Sequence, residues 1–163
     1  MKKQLFAVVL MTITALTACN NQAGTGSSAS TTDSITTKTG NMKNLISIAE
    51  IPITDFTRAR NFYQTILGLT IEEMDMDGVK MGIFPNEEGT INVVLAKGHD
   101  YKPTTDGPVL YLNAGKDLQP VLSKVETAGG KTIVPKTMIS PEMGYFALFI
   151  DTEGNKLGLH SSH

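Results

Sequence analysis

The chain has 163 residues, a formal net charge of −2 at pH 7 and no tryptophan. Its lysines and arginines form no basic stripe, which argues against nucleic acid as a partner. Its single cysteine excludes both an intrachain disulfide and a thiolate metal cluster. The length suits one domain once a separate N-terminal region is set aside.

The N-terminal region is typical of an export signal. Lys2-Lys3 precedes the apolar run Leu5–Ala15, which is too short to span a membrane comfortably. The run ends in Leu16–Cys19, which resembles the lipobox of bacterial lipoproteins, where the cysteine is lipidated and becomes the new N-terminus. We therefore predict a signal peptide over residues 1–18 and a lipid anchor on Cys19. An ordinary cleaved signal with an incidental cysteine is the alternative.

This pattern places the protein in the bacterial cell envelope, held by its lipid on the outer membrane or the periplasmic face if the organism is Gram-negative. Residues 19–42 comprise the lipidated cysteine and a stretch of small polar residues with almost nothing to bury. Such a composition predicts a flexible tether. The folded domain is then residues 43–163.

The first half of this domain, about residues 44–98, predicts a β-α-β-β-β unit. It begins with a strand, Leu45–Ile53, whose two faces are both largely apolar. Thr54 or Asp55 then caps a helix with one apolar stripe, and Gly68 stops that helix near Leu67. Three strands complete the unit: Leu69–Met74, Val79–Phe84 after an Asp77-Gly78 turn, and Ile91–Ala96.

The second half, about residues 107–161, follows a polar connection and repeats the same order. Asp117 caps its helix, and the hairpin Phe146–His160 repeats the phrase Gly82–Ala96. The remaining predicted segments are a strand Val109–Asn113, a strand Lys131–Pro135 and a loop through Pro141. We therefore predict an α+β fold in which two βαβββ modules form a curved mixed sheet, with helices on its convex face and a concave face free for a ligand.

The order of these phrases resembles the vicinal oxygen chelate superfamily, which includes lactoylglutathione lyase (glyoxalase), bleomycin-resistance proteins and extradiol dioxygenases. Ala49–Tyr63 resembles the family's opening strand, Asp-containing turn and Arg-Ala-x-x-Phe-Tyr helix. Lys124–Thr137 and Ala147–His160 resemble parts of its second module. The resemblance implies the glyoxalase/bleomycin-resistance fold. It also implies a homodimer, because family members often build cavities between modules of two chains.

The resemblance further implies four inward positions for side chains that hold a divalent metal. These positions fall on Ile48, Val94, Pro108 and Gly158, and none of these residues can ligate a metal. A shift of the register by one residue in either direction does not supply the missing set. We therefore expect no metal and no other cofactor, as in the metal-free binding branch of the family.

Polar side chains on the concave face supply the candidate site. If Leu157 and Leu159 face the helices, then alternation along the strand puts their neighbours on the concave side. Glu50 and His160 are the candidate catalytic residues, because a carboxylate and an imidazole across a cavity can do acid–base work or hold a polar ligand. The candidate ligand-binding residues are Ile48, Asn92, Val94, Lys156 and Gly158.

Three functions remain open from the sequence. The first is an envelope-anchored protein that binds an unknown small molecule in a metal-free cavity. The second is a glyoxalase-like lyase or isomerase that uses Glu50 and His160, with or without a divalent metal. The third is an envelope interaction module that has the fold but no active site. The sequence does not name the ligand, nor does it say whether the modules pair within one chain or between two.

Overall fold

A computed structural model describes residues 44–163, so the predicted signal peptide, Cys19 and the tether lie outside the described residues. The order β-α-β-β-β occurs twice in this part of the chain. The first module contains β1 (Ile48–Pro52), α1 (Phe56–Leu67), β2 (Glu72–Met76), β3 (Val79–Ile83) and β4 (Asn92–Lys97). The second contains β5 (Tyr111–Asn113), α2 (Gln119–Val125), β6 (Lys131–Ser140), β7 (Gly144–Ile150) and β8 (Lys156–Ser161).

Each module forms its own four-stranded sheet, in the orders β1-β4-β3-β2 and β5-β8-β7-β6. In both sheets the first and last strands of the module pair in parallel and the other pairs are antiparallel. The predicted α+β fold of two βαβββ modules is therefore confirmed, with two sheets in place of the single curved sheet. Pairing between the edge strands β1 and β5 would join the two sheets into one. β1 contains Pro52, which has no N–H to donate, and β5 has only three residues, so both strands are poorly suited to this pairing.

Helix α1 begins and ends where the sequence predicts. Asp55 Oδ1 accepts a hydrogen bond from the Arg58 N–H at 3.0 Å, which caps the N-terminus. Gly68 adopts the left-handed conformation, with φ +68°, and its N–H bonds to the Gln64 carbonyl. The apolar stripe is buried as predicted: Phe56, Ala59, Phe62, Tyr63 and Ile66. No helix in residues 44–163 is both long enough and apolar enough for a membrane span.

The two modules share one hydrophobic core between the helix-facing sides of their sheets. The Phe62 ring of α1 lies 6.1 Å from the Phe149 ring of β7, centroid to centroid. The neighbouring Tyr63 ring lies 5.6 Å from Phe84, just after β3. Because α1 contacts strands of both modules, separating the modules would expose apolar surface on each of them.

Two elements of the second module differ from the prediction. The N-cap position of α2 is Leu118, although Asp117 Oδ1 still accepts a hydrogen bond from the Gln119 N–H at 2.9 Å. β6 continues to Ser140 through the region predicted as a loop, with shifts of register at three points. These irregularities allow the strand to contain Pro135, which cannot donate to the hydrogen-bond ladder.

Candidate functional site

Each sheet has one face toward the helices and one face away from them, which we call its open face. On the first open face, strand pairing aligns residues in rows across the sheet. One row is Glu50, Val94, Ile83 and Glu72, and the next is Pro52, Ala96, Met81 and Met74. Ile48 and Asn92 pair with each other beyond the first of these rows. The candidate residues of the first module therefore lie on one surface.

The second open face is arranged in the same way, because Leu157 and Leu159 point into the core. Its three rows are Lys131, Ile150 and Lys156; then Val134, Leu148, Gly158 and Tyr111; then Thr137, Phe146, His160 and Asn113. Lys156, Gly158 and His160 thus share this face. By strand register, Tyr111 is the equivalent of Glu50, and Gly158 is the equivalent of Val94.

The first open face is crossed by the connection between the modules, residues 98–107, which we call the strap. The Tyr101 hydroxyl of the strap donates a hydrogen bond to Glu50 Oε2 at 3.0 Å. A Cβ placed on Gly98 would lie 3.1 Å from the Tyr101 ring, so the ring extends from the end of β4 toward Glu50. Val94 and Ala96, in the middle of this face, are only 6% and 0% exposed. The hydrogen bond to the Glu50 carboxylate raises the pKa of the Tyr101 hydroxyl.

Glu50 and Lys156 line one cavity of about 100 Å³, although they belong to different modules. The cavity lies beside the strap, from which Thr104 and Asp106 contribute. The other residues that line it are Ile51, Pro52, Pro108, Leu110, Asn155 and Leu157. A carboxylate and an ammonium in one cavity can hold a small polar molecule.

His160 does not join Glu50 in this cavity. Its Nε2 lies 2.7 Å from the Met143 carbonyl oxygen, which can only accept, so Nε2 carries the hydrogen. His160 lies four residue steps after Lys156 along the extended strand β8, which is about 13 Å. The structure gives each of the two predicted catalytic residues a different partner and does not bring them together.

Gly158 lies beneath the ring of Tyr111. A Cβ built on Gly158 would be 2.8 Å from Tyr111 Cγ and still closer to two other ring atoms, so the ring covers the position of any side chain there. The ring is nevertheless 47% exposed. Its centroid is 6.4 Å from that of Phe146, at an interplanar angle of 67°, which is a favourable edge-to-face arrangement.

The residues at the four metal positions implied by the family resemblance do not fit a metal ion. Val94 and Ile48 on the first open face are aliphatic, and the Gly158 position is closed by Tyr111. In the second module, strand register makes Val109, rather than Pro108, the equivalent of Ile48, and neither carries a donor atom. Within residues 44–163, no three His, Cys, Asp or Glu side chains are grouped so that they could hold a metal.

Sequence reasoning missed a polar contact between the modules, centred on Glu153 in the turn between β7 and β8. Glu153 Oε2 accepts hydrogen bonds from the N–H groups of Thr54 and Asp55, at 2.8 and 2.9 Å, and Oε1 accepts one from Arg58 Nε at 2.8 Å. Burial raises the pKa of Glu153, but these hydrogen bonds outweigh burial and hold the pKa below its ordinary value. The carboxylate also lies at the N-terminus of α1, where the helix dipole favours it.

The same turn buries two more polar side chains against the first module. Asp151 Oδ2 accepts a hydrogen bond from the Tyr63 hydroxyl at 2.7 Å, and burial together with this carboxylate raises the pKa of Tyr63 well above its ordinary value. Asn155 Nδ2 donates to the Pro52 carbonyl at 2.8 Å. We call Asp151, Glu153 and Asn155 with their partners the inter-module latch. The available signal was the turn sequence itself, since Asp and Asn side chains often bond to nearby backbone.

Comparison with known families gives one match. A sequence model of the Glyoxalase/Bleomycin resistance protein/Dioxygenase superfamily matches residues 45–159, which is well over half of the chain. No curated protein matches the chain.

Solved structures resemble this chain in fold at low sequence identity. A glyoxalase/bleomycin resistance protein from Streptomyces is 20% identical, with a TM-score of 0.56, and the match covers 71% of this chain and 99% of that one. A second such protein, from Albidiferax ferrireducens, is 15% identical, with a TM-score of 0.57, covering 71% and 97%. A glyoxalase I mutant from Zea mays is 17% identical, with a TM-score of 0.53, covering 71% and 45%. This chain therefore spans less than half of the maize protein.

Proposed function

This chain belongs to the Glyoxalase/Bleomycin resistance protein/Dioxygenase superfamily, and we propose that it binds a small molecule in a metal-free cavity on its open faces. The observation that carries the proposal is that Ile48, Val94 and Gly158 occupy the family's metal positions and have no side-chain atom that could bind a metal. The ring of Tyr111 covers the last of these positions. The surface around them is apolar and partly exposed, and Ile48 itself is 60% exposed. Apolar surface with a few polar groups is the usual lining of a ligand site.

A glyoxalase-like lyase or isomerase is the second candidate, because the Glu50 carboxylate lines a cavity together with Lys156. In this reading Glu50 would first have to exchange its hydrogen bond from Tyr101 for one from the substrate. His160, which we predict as its partner, would act from a separate position beside Met143. This separation makes the binding function the better supported of the two.

We also propose that the protein is a homodimer. The open faces carry large exposed apolar side chains, among them Ile48, Met74 and Tyr111 at 47–60% exposure, and exposed apolar surface favours association. The first open face carries the carboxylates Glu50 and Glu72, whereas the second carries Lys131 and Lys156, so two copies offer complementary charges. Sedimentation velocity should show a dimer whose dissociation is promoted by salt.

We further propose that a lipid on Cys19 anchors the protein to the cell envelope. The support is the sequence alone: the paired lysines, the apolar run Leu5–Ala15 and the position of the only cysteine. Metabolic labelling with a fatty-acid analogue should tag the native chain in bacteria and should fail for Cys19→Ala. Labelling of the variant would contradict the assignment.

Thermal unfolding tests the binding function. The chain from residue 19 onward, with Cys19→Ser, is screened against a diverse small-molecule library in the presence of a chelator, and separately against zinc, nickel and manganese. We expect at least one organic compound to raise the melting temperature, because a ligand that binds only the folded state stabilises it. Stabilisation that disappears with chelator, or that metal alone produces, would overturn the metal-free site.

The same screen separates the alternatives. Turnover of a compound that is lost in both Glu50→Gln and His160→Ala, with unchanged melting curves, would establish the enzyme. If no compound and no metal shifts the melting temperature, while a defined envelope protein co-purifies in stoichiometric amount, the interaction module would replace both.

A further inference from the structure

We propose that the ligand site is the second open face, and that it takes a flat aromatic anion which stacks on Tyr111. This inference rests on the proposed small-molecule binding and names the class of ligand and the residue that selects it.

The ring of Tyr111 is held in place for stacking. Three of its adjacent atoms lie close to the position of a Cβ on Gly158, so the ring lies flat over the glycine. The edge-to-face contact with Phe146 supports it from one side. With one face of the ring on Gly158 and the residue 47% exposed, much of the ring remains accessible to a ligand. A flat ring that stacks there gains the offset-stacking interaction without ordering a mobile side chain.

The charges of the second open face favour an anion. Lys131 and Lys156 occupy the row on one side of Tyr111, and the three rows across this face contain no carboxylate. Lys156 precedes Gly158 by two residues, about 7 Å along the strand, so its side chain can reach a carboxylate on a ring stacked over Tyr111. Two acids, Glu50 and Asp106, line the small cavity together with Lys156.

The row on the other side adds His160, whose Nε2 donates to the Met143 carbonyl, so the Nδ1 of the neutral ring can accept a hydrogen bond from a donor group of the ligand. Tyr111 also borders a cleft of about 460 Å³, with Asn113, Ile91 and Val93 among the lining residues. The cleft provides room for the part of a ligand that extends beyond the ring.

The first open face lacks both features. Tyr101 lies across it and engages Glu50, and its charged members, Glu50 and Glu72, are acidic. The two tyrosines therefore form a matched pair for experiment: Tyr111 on the proposed site and Tyr101 on the face that the strap covers.

The experiment measures binding of three probes by calorimetry and by NMR: 1-naphthoate, cyclohexanecarboxylate and 1-naphthylmethylamine. They present a flat anion, an anion without an aromatic ring and a flat cation. We expect 1-naphthoate to bind best. Tyr111→Ala should weaken it about tenfold, as expected for loss of an aromatic stack. Tyr111→Phe and the control Tyr101→Ala should leave it unchanged, and Lys156→Gln should weaken it severalfold because the charge partner is lost.

The outcomes separate this inference from the proposed function. If Tyr101→Ala and not Tyr111→Ala abolishes binding, or if cyclohexanecarboxylate or the amine binds as well as 1-naphthoate, the inference is wrong while small-molecule binding stands. If the library screen yields no ligand at all, the proposed function fails with it. Tyr111→Leu keeps an apolar side chain of intermediate size, so weakened binding in that folded variant assigns the effect to loss of the aromatic ring.

Discussion

Glu50 and Tyr111 occupy equivalent positions in two sheets of the same topology, and their surroundings are opposite. Glu50 pairs with Val94 and is engaged by the Tyr101 hydroxyl of the strap. Tyr111 pairs with Gly158, covers that glycine and exposes its ring. The two modules therefore share the same backbone topology, but their open faces carry different side chains in different environments. One face is acidic and has its Glu50 engaged by the strap, whereas the other is basic and exposes an aromatic ring.

The two turns before the last strand of each module differ in the same way. The turn of the second module buries Asp151 and Asn155, and its Glu153 caps α1. In the first module the corresponding Asn86 and Glu88 are exposed. The two turns share a repeated sequence phrase, yet only the turn of the second module packs against the other module and stabilises the fold.

The largest effect is expected when Asp151 is changed to alanine. The substitution leaves the buried Tyr63 hydroxyl without its acceptor and removes one of the two acceptors of Asn155 Nδ2, so we expect the free energy of unfolding to fall by about 3 kcal/mol. Urea unfolding followed by circular dichroism measures it. The matched change Asn86→Ala, in the exposed turn of the first module, should cost less than about 0.5 kcal/mol. Equal losses would show that the two turns do not differ in this way.

A smaller loss, about 2 kcal/mol, is expected for Gly158→Ala, because the added methyl group collides with the Tyr111 ring. The double variant Gly158→Ala, Tyr111→Ala should recover most of this loss, since the ring is then absent. A double-mutant cycle by urea unfolding measures the coupling. Independent, additive effects of the two substitutions would contradict the stacked arrangement.

Replacing Glu153 with glutamine should cost about 1 kcal/mol at neutral pH. The folded-state pKa of Glu153 lies below its ordinary value of 4.5, so its contribution is fully present above about pH 4.5 and is lost as the pH falls through the lower folded value. The stability difference between the parent and Glu153→Gln should therefore shrink below about pH 4.5. Glu88→Gln, in the exposed turn of the first module, is the control.

The smallest effect concerns titration alone. Glu50→Gln removes the carboxylate that raises the pKa of Tyr101, so the Tyr101 pKa should move down toward its ordinary value. NMR of the tyrosine ring carbons over alkaline pH measures the shift. Glu72→Gln, in the same row of the open face, is the control. An unchanged Tyr101 titration in Glu50→Gln would mean that the strap does not hold this contact in solution.

The sequence was sufficient for those features that depend on local pattern. The stripe of α1 was predicted because apolar residues recur with the period of a helix, and the Asp77-Gly78 turn because both residues tolerate positive φ, here 50° and 83°. Alternation along β8 also gave the facing of Lys156, Gly158 and His160. These arguments need no knowledge of distant residues.

The remaining features depend on contacts that no local pattern encodes. Alternation assigns a face to Glu50 and His160 but does not give their partners, so their separation could not be foreseen. Tyr101 lies in a polar connection that resembles ordinary solvent-exposed loop, and its contact with Glu50 spans 51 residues. The partners of Glu153 lie 95 to 99 residues earlier in the chain, so no pattern within its turn could identify them.

The reach of Glu153 also has a consequence for synthesis of the chain. It lies 99 residues after Thr54, so the N–H groups at the start of α1 cannot receive their carboxylate until nearly the whole domain has left the ribosome. Contacts of such long sequence separation form late and slow folding. The start of α1 should therefore become rigid only when the turn after β7 reaches it.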